Sequence, residues 1–195
     1  MSDFKPRHIL GKWQQGFALD LHTLSSVPVG YNEFGHMQFD TKRSAVGELL
    51  FRLKFRGDTS VVPELVADSV AFIKRWRPAV DIVVPVPPSG ARAVQPVFLL
   101  SHGIASQLGI PLARCVTKMR DTPQLKNIYD LDERLAVLDG AHTVDVAATR
   151  GKQVLLVDDL FRSGATMNAI TTALFEQGEA AAVFAFTISR TRSHQ

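Results

Sequence analysis

The sequence predicts an α/β protein with a parallel sheet flanked by helices, and three observations carry that prediction. Segments that are apolar throughout, "DIVVPVP" (Asp81–Pro87), "QVLLVDD" (Gln153–Asp159) and "AAAVFAFTIS" (Ala180–Ser189), alternate with stretches of helical period. Strands covered by helices on both faces read as unbroken apolar runs, whereas a half-exposed strand alternates. The chain has 195 residues, 46% of them hydrophobic, enough for one substantial core.

From Phe17 to Phe39 apolar residues alternate weakly in "GFALDLH" and "HMQFD", around the turn-rich "VGYNEFG". An antiparallel hairpin or two is expected there. The period then changes in "SAVGELLFRLKFRGD": Val46, Leu49, Leu50 and Leu53 recur at helical spacing. Ser44 stands at the N-cap position, and Gly57 can take the left-handed conformation that ends a helix. A second helix is expected over Pro63–Trp76, with its proline in the first turn. After the strand at "DIVVPVP", Val97, Leu100, Ile104 and Leu108 form one helical face closed by Gly109. "PLARCVTK" (Pro111–Lys118) reads as a second strand and Gln153–Asp159 as a third. A helix over Ala165–Gln177, closed by Gly178, leads to the fourth. The segment Met119–Arg150 is polar and turn-rich, with a short helix expected at Asp132–Leu138. Two units follow: residues 1–43 as a hairpin region packed on the core, and 44–195 as the main domain, with 118–150 as a loop or hood.

The bulk numbers exclude several classes. The net charge of +3 favours anionic ligands without arguing for nucleic acid. A single cysteine, Cys115, forbids an intrachain disulfide and any zinc site built from several thiolates. It is expected to be buried and inert. The N-terminus lacks an apolar leader, and no apolar run reaches membrane-spanning length, so a cytoplasmic protein with no membrane partner is expected.

The chemistry concentrates in "VLLVDDLFRSGAT" (Val154–Thr166). Side chains on a strand alternate faces, so Asp158 and Asp159 cannot both be core residues. At the carboxyl end of a parallel strand both can reach a ligand above the sheet. Carboxylates only accept hydrogen bonds, which suits the 2′ and 3′ hydroxyls of a ribose. The following residues Arg162, Ser163, Gly164, Ala165 and Thr166 open a helix, whose free amides and hydroxyls make an anion cradle. Diol acceptors a few residues from such a cradle match a ribose 5-phosphate. A metal pair, or a solvated turn with an incidental cap, is the competing reading.

This segment resembles the phosphoribosyl pyrophosphate (PRPP) signature of type I phosphoribosyltransferases. "ELLFRLKFRGD" (Glu48–Asp58), "VVPVPPSGAR" (Val83–Arg92) and "RDTPQLKNIYDLDER" (Arg120–Arg134) resemble, in order, segments of its ComF-like branch. The resemblance implies a type I phosphoribosyltransferase-like sheet. It also implies that Asp158 and Asp159 hold the ribose hydroxyls while Arg162–Thr166 wrap the 5-phosphate. Ser89, Gly90 and Arg92 then belong to the pyrophosphate loop, and Lys118 and Arg120, with Lys126 nearby, to a basic loop closing over the site. Mg²⁺ is implied as the cofactor, bound through PRPP oxygens and water, with contact to Asp158 or Asp159 left open. The implied function is phosphoribosyl transfer to an unidentified acceptor, with a nucleobase as one candidate. The alternative is a non-catalytic adaptor or regulator whose partner is DNA or a DNA-processing protein; a homodimer is also open.

The chain departs from the pattern in three places. Arg162 stands where the signature usually has Thr or a small residue, "RAVQP" (Arg92–Pro96) replaces Arg-Gly-Phe-Asn-Gln, and a hairpin region stands where the branch often carries a cysteine-rich zinc module. Finally, Lys42, Arg43, Arg52, Lys54 and Arg56 surround Phe51 and Phe55. They read either as a nucleic-acid or substrate-steering patch or, more plainly, as the wet face of an amphipathic helix.

Overall fold

The computed structural model describes residues 3–88, 90, 92–119 and 140–192. Its centre is a five-stranded sheet in the order β1-β2-β9-β8-β5. The strands are β1 (Arg7–His8), β2 (Gln15–Leu21), β5 (Ile82–Pro85), β8 (Gln153–Phe161) and β9 (Ala182–Arg190). β2, β9, β8 and β5 run parallel to one another; β1 pairs antiparallel with β2. A hairpin of β3 (Thr23–Tyr31) and β4 (Met37–Arg43) and a ribbon of β6 (Val116–Lys118) and β7 (His142–Val144) stand outside this sheet.

Helices cover both faces, as apolar strands require. α1 (Ala45–Arg56), α2 (Val62–Trp76) and α3 (Pro96–Leu108) lie on one side. There Leu50, Leu53, Leu65, Leu100 and Ile104 pack with Leu155, Val157, Phe186 and Ile188. α4 (Val146–Thr149) is a single turn, and α5 (Ala165–Glu176) covers the other face. There Met167, Ile170 and Leu174 meet Val154, Leu156, Val183 and Ala185. Along β8 the faces alternate from Val154 to Val157, even-numbered residues toward α5 and odd-numbered ones toward α1–α3. Past the acid pair the phase changes, with Leu160 on the α1–α3 side and Phe161 on the α5 side.

The expected caps of α1 are present. The Ser44 hydroxyl accepts from the Gly47 N–H at 2.9 Å, and Gly57 adopts φ 66°. Gly109 likewise ends α3 in the left-handed region.

Two expectations need correction. "GFALDLH" does not fold as part of an isolated hairpin: Gln15–Leu21 joins the central sheet, parallel to β9. Its Ala18 and Leu19 are fully buried, so the apparent alternation came from Asp20, a polar residue that is itself buried. "PLARCVTK" is not a strand of the parallel sheet either. It touches β5 through one bridge, Val83 to Leu112, and then turns away to pair antiparallel with β7. Proline at position 111, and Arg114 stacked at 4.0 Å over the Phe98 ring, fit a connector better than a central strand. Cys115 is buried, and desolvation raises its pKa, as expected of an inert thiol. The helix expected at Asp132–Leu138 lies outside the described residues.

Candidate functional site

The carboxyl ends of β2, β9 and β8 line up, with Leu21 beside Arg190 and Arg190 beside Phe161. The two adjacent carboxylates of β8 fall at this edge, where the period of two separates them. Asp159 reaches toward α1, which covers the face lined by Leu155 and Val157.

Asp159 meets a cation there. The Lys54 ammonium donates to Oδ1 at 2.8 Å and lies 2.8 Å from Oδ2, with the two side chains 17% and 13% exposed. This corrects the reading of Lys54 as part of a wet helix face. The buried residues of α1 are Val46, Gly47, Leu50 and Leu53, and Lys54 is four positions after Leu50 on the same stripe. That spacing is the sequence signal that identifies it. The neighbouring cations stay local: Arg52 pairs with Asp58 at 2.6 Å, and Arg43 pairs with Glu48 at 3.2 Å while lying 3.7 Å over the Phe51 ring.

Among the described residues no cation pairs with Asp158 in this way. Its Oδ1 accepts from the Asp159 backbone N–H at 2.8 Å. Burial first, and then the neighbouring Asp159 charge, push its carboxyl up to about 7, against the lowering influence of Lys54. The two acids are thus unlike, one paired and one poised near neutrality.

Beyond β8 the chain enters the small-residue loop. Gly164, at φ 78°, is the N-cap of α5 and has no side chain to cap that end, where the Ala165 N–H reaches only Ser163 Oγ, at 3.5 Å. A Cβ at Gly164 would stand 2.8 Å from the Phe161 ring, so the residue must be glycine on grounds of both conformation and space. Ser163 and Arg162 are exposed, Ala165 is buried and Thr166 is half-buried. An uncapped helix start with hydroxyls beside it offers amides to an anion. Trp13, edge-on to Phe161 at 6.2 Å, supports the loop from beneath.

Of the expected pyrophosphate loop, Arg92 and Gly90 are described and Ser89 is not. Arg92 Nη1 donates to the Lys54 carbonyl at 3.0 Å, which ties this loop to the helix that carries the ammonium. The Gly90 carbonyl accepts from Gln95 Nε2 at 2.9 Å. Lys118 sits in the β6–β7 ribbon opposite His142, whose pKa its charge helps to lower. Arg120, Lys126, Glu133 and Arg134 lie outside the described residues.

Two further residues carry no motif signal. His22, at the end of β2, holds Ser189 Oγ at 3.1 Å through Nδ1. Burial and the charges of Arg43, Lys54 and Arg162 hold it below its usual pKa, so it stands neutral beside the acid pair. Gly47 lets α1 approach this strand end, because a Cβ there would come within 2.1 Å of the His22 carbonyl oxygen.

Among the described residues no group of three or more His, Cys, Asp or Glu side chains converges to hold a metal ion. The donor set at this strand end is two carboxylates, one already bound by an ammonium, which does not suit a protein-held Mg²⁺. Among the same residues no helix is long and apolar enough to cross a membrane.

The sheet order, the acid pair at the end of β8 and the uncapped helix after it define a protein of the type I phosphoribosyltransferase fold. Similar solved structures include the glutamine PRPP amidotransferase of B. subtilis complexed with ADP and GMP (TM-score 0.52, 20% identity, 81% of this chain and 35% of that one). An allosteric regulatory enzyme of purine biosynthesis is similar too (TM-score 0.51, 20% identity, 81% and 34%). The competence protein ComFC of Bacillus subtilis (strain 168) is 30% identical over 154 residues, which are 77% of this chain and 62% of that protein. No family model matches the chain. The chain therefore has the type I phosphoribosyltransferase fold and is similar to ComFC, of which it spans less than two thirds.

Proposed function

We propose that this site binds PRPP with Mg²⁺ and transfers its phosphoribosyl group to an acceptor yet to be identified. The observation that carries the reading is the pairing of Asp158 and Asp159 at the carboxyl end of β8 with the uncapped N-terminus of α5 immediately after them. The carboxylates accept from the ribose hydroxyls. The amides of Gly164–Thr166, the hydroxyls of Ser163 and Thr166 and the Arg162 guanidinium take the 5-phosphate. Gly90, Arg92 and Ser89 cradle the pyrophosphate, and Lys118 and Arg120 supply positive charge to it. Mg²⁺ arrives on the pyrophosphate oxygens and water, not in a protein cage.

In the transfer, the lone pair of an acceptor nitrogen forms the bond to ribose C1. The C1–O bond to pyrophosphate breaks, and pyrophosphate leaves with that electron pair. A proton on the acceptor passes to solvent. No covalent enzyme intermediate is needed, so the protein's work is orientation and charge stabilisation.

Millimolar PRPP with Mg²⁺ is expected to raise the melting temperature, since ligand at a hundred times Kd stabilises by about 2.7 kcal/mol. Asp158→Asn with Asp159→Asn should abolish the shift in a protein that still folds. No shift for the wild type, or an equal shift for the double variant, overturns the reading. The named relative, a competence protein, favours a second reading: PRPP binding without turnover, in an adaptor or regulator that works with DNA or its processing proteins. Pyrophosphate release across a panel of bases separates the two, because only the transferase releases it.

A further inference from the structure

The two carboxylates are adjacent in sequence, and their charge must be met by something. In a site that relies on a divalent ion for this, the carboxylates face the ligand with no fixed cation between them. Here a cation is built in. Lys54 Nζ is 2.8 Å from both oxygens of Asp159, and the pair is more than four-fifths buried. Its position is not the accident of a swinging side chain. Lys54 rides on a helix fixed at its start by Ser44, which donates to the Leu21 carbonyl at 2.5 Å. Gly57 ends the same helix three residues later, and Arg92 holds the Lys54 carbonyl. The reach is from α1 to β8 across 105 residues of sequence.

Resting on the reading of this site as a ribose-phosphate site, we propose that Lys54 is the resident counter-ion of the acid pair. It takes over at Asp159 the charge neutralisation that a metal would otherwise supply, so that the ribose 5-phosphate half of the ligand binds without a divalent ion. The chemistry is consistent with Lys54 staying in place. Two carboxylate oxygens offer about four acceptor sites and the ammonium uses two, which leaves room for a hydroxyl donor. Asp158, which accepts from the Asp159 N–H, remains a second acceptor for the sugar. Lys54 is a positioning residue: it acts on the ligand through Asp159. Mg²⁺ then matters for the pyrophosphate and not for the sugar.

Ribose 5-phosphate is the probe, because it lacks the pyrophosphate that binds Mg²⁺ by itself. Its affinity for the full chain is measured by calorimetric titration in EDTA and again in millimolar MgCl2, for wild type, Lys54→Met and Lys54→Arg. The wild type should bind equally in the two buffers, within about threefold. Lys54→Met should lose about tenfold or more in EDTA and recover part of it in Mg²⁺, since the uncompensated acids then need an ion. Lys54→Arg, which keeps the charge, should remain metal-independent. Wild-type binding that improves about tenfold or more with Mg²⁺ overturns the inference and leaves the ribose-phosphate reading standing. So does a folded Lys54→Met that binds in EDTA as the wild type does. If Lys54→Met does not fold, the two wild-type titrations with Lys54→Arg still decide. No binding of ribose 5-phosphate in either buffer, together with no PRPP shift, overturns the reading beneath it.

Discussion

The turn after β8 and the β3–β4 hairpin lie at the same edge of the sheet, and they depart from the inside-apolar rule in opposite directions. After β8, charged groups sit partly buried: Lys54 and Asp159 are paired, and Asp158 is pressed toward its neutral form. On the hairpin, apolar side chains stand in solvent, with Tyr31 71% and Phe34 75% exposed, beside Val27, Val29 and Phe39. Scattered exposed apolar residues are ordinary, but buried charge and clustered exposed rings are the informative exceptions. The difference teaches where the fold holds its shape. The β8 turn is bound into the sheet and two helices, so its side chains have fixed partners. The hairpin is held by its own strand pairing and by Arg192, which donates to the Leu24 carbonyl at 2.6 Å.

The contrast breaks most visibly at Lys54. Lys54→Met leaves Asp159 partly buried without its cation and is expected to cost about 3 kcal/mol, in the range for removing one partner of a buried pair. Arg52→Met on the same helix removes the pairing to Asp58, whose side chains are 38% and 28% exposed, and should cost under about 1 kcal/mol. Urea unfolding of both variants checks this. Equal losses would mean that burial does not distinguish the two pairs.

The same contrast explains what was legible in the sequence. The β8 strand, the Asp pair and the small-residue loop are contiguous, so local pattern carried both the strand and the site. The caps of α1 were readable for the same reason: Ser44 and Gly57 act within a turn of their positions. Lys54 was misread because its partner lies 105 residues away, and a lysine beside two arginines looks like surface. Its place four residues after Leu50, on the buried stripe, was the clue. β2 was misread because Asp20 interrupts its apolar run. That carboxylate is satisfied locally, by the Leu21 N–H at 2.7 Å, and so tolerates burial that composition argues against. The role of Gly47 is set by the approach of His22 from another strand, which no local pattern announces.

A second test uses pH to sharpen the contrast within the acid pair itself. Asp158 moves from an ordinary 3.8 to about 7 in the folded chain. Across that window the folded state keeps a proton that the unfolded state has released. Stability is therefore full below the lower value and falls as pH rises through the upper one. Asp158→Asn keeps an oxygen for the Asp159 N–H and has no proton to lose. It should be more stable than the wild type at pH 8, with the advantage fading toward pH 4. Melting curves at a series of pH values measure it; a constant difference between the two proteins would show that Asp158 is not held near neutrality.

The smallest effect is expected on the hairpin. Tyr31→Ser and Phe34→Ser remove large rings that already face water, so neither leaves a cavity nor strands a polar partner. Substitutions of this kind fall within about 0.5 kcal/mol of wild type. The Phe34 N–H bonds to Asn32 Oδ1 at 3.0 Å and the His36 N–H to the same oxygen at 2.9 Å, so the turn keeps its shape without either ring. Thermal unfolding of the two variants, beside Lys54→Met, places both regions on one scale. A loss of about 2 kcal/mol at either ring would mean that in solution the ring is covered, and that the hairpin is packed as the β8 turn is.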